Sequence, residues 1–218
     1  MDKGRTRENR RPRIALTMRI TEAQGYSERR DSLSHDWVNL LEDWGMSSLP
    51  IPNGLGDPDE YFDSLDPDLF VLTGGDDPGK GTPRDLTEKK VLDYAKSTGI
   101  PTIGICRGLQ AINLHFGGRL TAIDNHVGCD HAVSVSGAFA EIYGTEASVN
   151  SFHEMTIPLD GLAEDLIITA RDEDGNIEAF HHGTLPVAAI MWHPERRGAP
   201  TTDRLLFENL IGQGAFWL

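Results

Sequence analysis

The stretch Gly104-Ile105-Cys106-Arg107-Gly108 limits what this chain can fold into more than any other. Ile100-Pro101-Thr102-Ile103, just ahead of it, is apolar and β-branched and reads as a buried strand. Behind it Leu109, Ile112 and Phe116 fall at helical spacing, and Gly117-Gly118 stops that helix. A cysteine is thereby set in a sharp strand-to-helix turn with glycines close on either side. Such a turn lifts a thiol above a sheet edge and demands a sheet whose strands lead into helices. The Arg107 amide opens the helix, so its N–H and the helix dipole favour a thiolate and a developing oxyanion.

The chain ahead of the turn keeps to that pattern. Arg13–Thr17 is a first strand, and Met18–Thr21 leads into a polar loop from Gly25 to Arg30. A helix from about Ser32 to Trp44 carries the stripe Leu33, Trp37, Leu40, Leu41 and Trp44, with Gly45 to cap it. Ser47–Ile51 is a second strand, Asp59–Leu65 a short helix, and Leu69–Thr73 a buried strand ending at Gly74-Gly75. Asp85-x-x-Glu88 reads as the cap of a helix that runs to about Thr98 and buries Val91, Leu92 and Ala95. Strand–helix alternation of this kind predicts an α/β fold with a parallel sheet and right-handed crossovers.

From Arg119 to Gly183 the texture changes to shorter alternating runs, 132–135, 147–149, 166–170 and 177–180, which predict antiparallel strands. Asp174-Gly175 suits a hairpin turn. Val187–Met191 is a last buried strand, and Thr201–Ile211 a terminal helix with Leu205, Leu206 and Leu210 inward. A single domain over residues 13–218 is expected, preceded by a disordered basic tail over 1–12.

Composition excludes several function classes. The net charge is −14, and residues 1–13 carry +4, leaving −18 on the rest, which argues against nucleic-acid binding. No apolar run reaches the roughly 20 residues of a membrane span, so no membrane partner is expected. Two cysteines make no disulfide framework, and a reducing cytoplasm suits Cys106 as chemistry and Cys129 as an incidental thiol. His126, His131, His181 and His182 invite a metal reading, but no repeated ligand spacing supports it. No metal and no cofactor are expected. Whether the chain pairs with a second copy stays open.

The last strand runs into Trp192-His193-Pro194-Glu195. Ligands of open α/β sheets sit beyond the carboxyl ends of the strands, where Cys106 and His193 both emerge. A cysteine needs a neighbouring base, and an imidazole needs an acceptor to fix its tautomer. Glu195 can reach His193 across the stiff proline. The roles that follow are Cys106 nucleophile, His193 general base then acid, and Glu195 orienter.

Gly-Ile-Cys-Arg-Gly with a downstream Trp-His-Pro-Glu resembles the class I glutamine amidotransferase superfamily, over nearly all of the chain after Arg13. The resemblance implies a flavodoxin-like fold, with a mixed, mostly parallel central sheet flanked by helices and a smaller antiparallel sheet. It also implies a Cys-His-Glu triad that cleaves a γ-glutamyl amide through a thioester. By the same resemblance, Thr73-Gly74-Gly75 is the oxyanion-strand loop, with the Gly75 and Arg107 amides as the oxyanion hole. Gln110 would then touch the glutamyl moiety, and Asn150-Ser151-Phe152-His153 would read its α-amino and α-carboxylate groups. Gly-Ile-Cys-Arg-Gly-Leu-Gln, Pro83-Arg84-Asp85 and Val149–His153 are similar to the γ-glutamyl-γ-aminobutyrate hydrolases of the peptidase C26-like branch.

Further runs resemble small amidotransferases of bacterial capsule clusters. They are Ala15–Arg19, Gly25–Asp31, Asp36-Trp37, Arg84-Asp85 with Glu88-Lys89-Lys90, Asp124–Val127, and Ile177–Phe180 before Met191-Trp192-His193. That resemblance implies hydrolysis of γ-L-glutamyl-CDP-amidate to glutamate and cytidine diphosphoramidate; Pro194 departs from the group's pattern without touching the triad. A diphosphate leaving group wants cations at the mouth of the site. Arg19 follows the first strand at that edge, and Arg29, Arg30, Arg107, Arg196 and Arg197 are further candidates. A γ-aminobutyrate leaving group would need one cation and a smaller pocket. A glutaminase subunit feeding ammonia to a separate synthase is the remaining alternative.

Overall fold

The computed structural model describes residues 10–218. The expected tail therefore lies, over residues 1–9, outside the described residues. Arg10 is tied down: its guanidinium meets Asp68 at 2.5 Å and Asp66 at 3.0 Å.

In chain order the elements are β1 (Arg13–Thr17), β2 (Arg19–Glu22), β3 (Arg29–Ser32), α1 (His35–Asp43), β4 (Ser47–Ile51), α2 (Asp59–Leu65), β5 (Leu69–Leu72), α3 (Pro83–Thr98), β6 (Thr102–Ile105) and α4 (Arg107–His115). There follow β7 (Thr121–Ala122), β8 (Val127–Val135), α5 (Ala140–Tyr143), β9 (Glu146–Phe152), β10 (Met155–Thr156), β11 (Leu166–Asp172), β12 (Ile177–His182), β13 (Val187–Ile190) and α6 (Asp203–Gln213).

The central sheet runs β4-β1-β5-β6-β13-β12-β11-β8-β9. From β4 to β13 every pairing is parallel, and from β13 to β9 every pairing is antiparallel. The antiparallel runs read from the sequence thus extend the central sheet. The separate antiparallel pieces are two small ribbons, β2–β3 and β7–β10. Strands β5, β6 and β13 are buried at every position, as strands covered on both faces must be.

Two helix starts show how local chemistry sets the site. Helix α1 is capped by Ser34, whose side chain accepts from the Asp36 amide. The cap expected at Asp85-x-x-Glu88 lies three residues earlier. Thr82 is the N-cap, and Asp85 closes a capping box with it while Pro83 begins the helix. Glu88 is thereby released from capping and lies buried inside the fold. The ribbon β2–β3, in the region read as loop, pairs Arg19 with Ser32 and Glu22 with Arg29. Apart from Ile20 its strands are polar on both faces, so no alternation announces them.

Candidate active site

The parallel register of β6 and β13 sets Ile105 opposite Ile190, and the Cys106 amide donates to the Ile190 carbonyl at 2.9 Å. Two neighbouring strands therefore end side by side, one running into Cys106 and the other into His193. Cys106 itself holds φ 51° and ψ −103°, a conformation that a side-chain-bearing residue adopts only under strain. Its neighbours explain how the turn closes. A Cβ on Gly104 would lie 2.5 Å from the Gly108 carbonyl carbon, and one on Gly108 would strike the Leu72 carbonyl oxygen. Helix α4 packs this tightly on β5 and β6 only because both positions are bare.

Cys106 is buried, and burial pushes its thiol up to about 12, against the Arg107 amide, which favours the thiolate. The nearby Glu195 charge raises it further, and Arg196 pulls the other way. His193 is buried as well, and its Nδ1 lies 2.8 Å from Glu195 Oε1. With Nδ1 donating to that carboxylate, Nε2 carries the lone pair; Nε2 has no hydrogen-bond partner among the described residues. The His193 ring stands against Gly74, where an added Cβ would come 2.6 Å from Cε1, and edge-on to Phe152.

A cavity of about 230 Å³ opens over the thiol, lined by Gly75, Asp77, Cys106, Gln110, Val127, Phe152, His153 and Glu154. Of the residues singled out in the sequence, Gly75, Gln110, Phe152 and His153 thus meet Cys106 in one space. Gln110 is held by a bond from Nε2 to the Met155 carbonyl, 2.8 Å, and Arg196 stacks on Phe152 with its guanidinium carbon 4.4 Å from the ring centre. Arg19 reaches the rim, where its Cβ would lie 3.6 Å from a Cβ on Gly75.

The side chains of Asn150 and Ser151 turn elsewhere. Asn150 Oδ1 accepts from the His193 amide at 2.8 Å, and its Nδ2 donates to the His193 and Arg197 carbonyls at 3.0 Å. It clamps the loop that carries His193. Ser151 Oγ donates to the His126 carbonyl at 2.7 Å. The Arg107 guanidinium, a candidate for an anionic leaving group in the sequence, is buried and paired with Glu88 and with Asp85, the latter at 2.6 Å.

Arg84, Glu88 and Glu178 fall in runs that carry the resemblance or a cap, but no role in the site is read from the sequence for them. Arg84 Nε binds Glu88 at 2.9 Å while its two terminal nitrogens donate to the Thr73 and Gly74 carbonyls. Glu178, buried on β12, lies 3.5 Å from the Nε2 atoms of both His131 and His153, which hold its carboxyl below the usual range against the effect of burial. The available signal was one carboxylate inside the otherwise apolar run Ile177-Glu178-Ala179-Phe180.

A parallel sheet that ends in a thiol on a strained strand-to-helix turn, with a histidine held by a carboxylate at the end of the next strand, has the class I glutamine amidotransferase fold. The chain belongs to the Peptidase C26 family, whose model matches residues 12–195. It is 32% identical over 203 residues to the γ-glutamyl-CDP-amidate hydrolase of Campylobacter jejuni, covering 89% of this chain and 96% of that one. To a glutamine-hydrolysing GMP synthase subunit of Methanosarcina acetivorans it is 30% identical over 179 residues, 76% of this chain and 83% of that one. In three dimensions it superposes on a provisionally named GMP synthase subunit of Thermoplasma acidophilum with a TM-score of 0.70, at 25% identity and 93% coverage of each chain. Among the described residues no helix is long and apolar enough to cross a membrane.

Proposed function

We propose that the chain hydrolyses a γ-glutamyl amide through a thioester on Cys106, and that its substrate is γ-L-glutamyl-CDP-amidate. The observation that carries the reaction is the His193 ring, anchored to Glu195 at Nδ1 and unpartnered at Nε2, at the end of the strand that pairs with the one leading into Cys106. His193 Nε2 takes the thiol proton, and the thiolate attacks the γ-carbonyl. The Gly75 and Arg107 amides donate hydrogen bonds to the oxyanion. As the intermediate collapses, His193 returns the proton to the departing nitrogen. A water deprotonated by His193 then attacks the thioester, releasing glutamate and the free thiol. Gln110, Phe152 and His153 hold the glutamyl part.

Two features support the nucleotide leaving group. One is the Campylobacter relative, matched over 96% of its length. The other is a run of cavities. The Cys106 cavity shares Asp77 with one of about 340 Å³, lined also by Arg29, Lys80, Thr82, Arg84 and Arg107. That cavity shares Ile20, Arg29 and Pro83 with a third of about 230 Å³, which reaches Asp31 and Asn53. A glutamyl group, a diphosphate and a nucleoside fit such a sequence of spaces. Arg19 and Arg29 lack an ion-pair partner among the described residues and suit the diphosphate.

The test is to offer γ-glutamyl-CDP-amidate, γ-glutamyl-γ-aminobutyrate and glutamine separately. The expected order of kcat/KM places the nucleotide compound first. Equal or faster cleavage of γ-glutamyl-γ-aminobutyrate would return the assignment to the smaller leaving group. Poor activity on all three that rises with an added synthase would favour a glutaminase subunit, the reading to which the GMP synthase likeness leads.

A further inference from the structure

Behind the two oxyanion donors lies one buried charge network, and we propose that Arg84, braced by Glu88, is the positioning residue that aims the Gly75 amide. The inference rests on the reading of Gly75 and Arg107 as those donors. Arg84 is 3% exposed; it edges the cavity next to that of Cys106 and turns its guanidinium onto the Thr73-Gly74 backbone. Its Nη2 donates to the Thr73 carbonyl at 2.6 Å and to Thr73 Oγ1 at 3.0 Å, and Nη1 and Nη2 both reach the Gly74 carbonyl at 3.2 Å. The Gly74 C=O and the Gly75 N–H belong to one peptide plane, which is trans, so they point in opposite directions. Gripping the carbonyl from one side fixes the N–H on the other. Gly75, at φ 149°, has no side chain to hold it in place, and a Cβ there would run into Arg84 Nη1. The guanidinium therefore supplies the rigidity that the glycine lacks.

Glu88 joins this grip to the second donor. Its Oε1 accepts from Arg84 Nε at 2.9 Å and from Thr17 Oγ1 at 3.1 Å, and its Oε2 meets Arg107 Nη1. Asp85 takes the other end of Arg107 at 2.6 Å while closing the capping box of α3. Thr17 completes the frame, accepting from the Thr73 amide at 3.1 Å, while its carbonyl accepts from Thr73 Oγ1 at 2.8 Å. Two arginines and two carboxylates thus tie β1, the loop after β5, the first turn of α3 and the first turn of α4 into one unit. A planar fork suits this task and an ammonium does not, because one group must satisfy two successive carbonyls and a carboxylate together.

Arg84→Lys keeps the charge beside Glu88 and removes the fork. Three readouts separate aim from general damage. Turnover of the γ-glutamyl amide requires the oxyanion hole. So does inhibition by 2-amino-4-cyanobutanoate, whose nitrile adds to the thiol and places a thioimidate nitrogen where the oxyanion would sit. Alkylation of Cys106 by iodoacetamide builds no charge there. The expected result is a kcat lowered about 10²-fold and nitrile inhibition weakened in step, with KM and the alkylation rate within about threefold of wild type. Unchanged kcat and nitrile affinity would overturn the proposal, and so would an alkylation rate that falls as far as kcat. Thr17→Val alters no charge and carries the same test if Arg84→Lys does not fold, with an expected loss of about tenfold and the same split between readouts. A wild-type enzyme that the nitrile does not inhibit would overturn the oxyanion-hole reading itself, and this inference with it.

Discussion

At the scale of the residue, Cys106 carries two costs at once. Its backbone is held at φ 51°, and burial holds its thiol up at about 12. Both follow from placing a sulfur in a buried turn above a sheet edge, and both predict behaviour. Glycine adopts this backbone freely, whereas alanine does not. Cys106→Gly is therefore expected to be about 1–3 kcal/mol more stable than Cys106→Ala by urea unfolding, with neither variant turning over substrate. Equal stabilities would remove the strain from the account. Cys106, His193 and Glu195 were legible in the sequence because glycines and strand ends frame them. Arg84, Glu88 and Glu178 were not, because a charged residue in isolation reads as surface and only its partners make it a buried one. Glu88 in addition resembled a cap, and the true cap, Thr82, lay just outside the pattern considered.

At the scale of the element, α6 shows how a helix start can report pH. Asp203 opens that helix, buried, accepting from Trp192 Nε1 at 2.9 Å and Tyr143 Oη at 2.8 Å. Burial raises its carboxyl to about 7, against those two donors. The folded state thus keeps a proton that the unfolded chain, with its carboxyl at 3.8, has released. Stability drawn from this group falls as pH rises from about 4 to about 7 and is lost above that window. Asp203→Asn keeps the acceptor and cannot ionise. The variant's Tm relative to wild type is expected to rise between pH 5 and pH 8, and a constant difference would refute the assignment. The main strands and helices were legible to within a few residues, since a buried parallel strand is one unbroken apolar run. The ribbon β2–β3 was not, because neither of its faces is buried in full.

At the scale of the whole molecule, the sheet joins two halves of different pairing: parallel strands that lead into Cys106 and His193, and antiparallel strands whose far edge holds the His193 loop. The second half reaches the site through its outermost strand, where Asn150 on β9 grips the His193 loop through four bonds. Resemblance marked Asn150 as a reader of the glutamyl group, and the two roles predict different outcomes. A clamp makes Asn150→Ala lower both kcat and the free energy of unfolding, the latter by about 3 kcal/mol, as buried backbone groups lose their partner. A reader makes it raise KM with stability unchanged. The chain's length and alternation announced the parallel half; that the antiparallel runs would extend the same sheet depended on pairings remote in sequence.

The clamp also bears on the order in which the chain is made. Cys106 leaves the ribosome well before His193, and at about 5–20 residues per second it waits several seconds for its base. Its partner loop is held by an edge strand, β9, that itself docks through β8, β11 and β12. The thiol therefore meets a fixed imidazole only when synthesis is nearly complete and the far edge of the sheet is in place. On the proposed mechanism, a nascent or truncated chain would carry the thiol without the means to deprotonate it, so the protein would acquire its reactivity last.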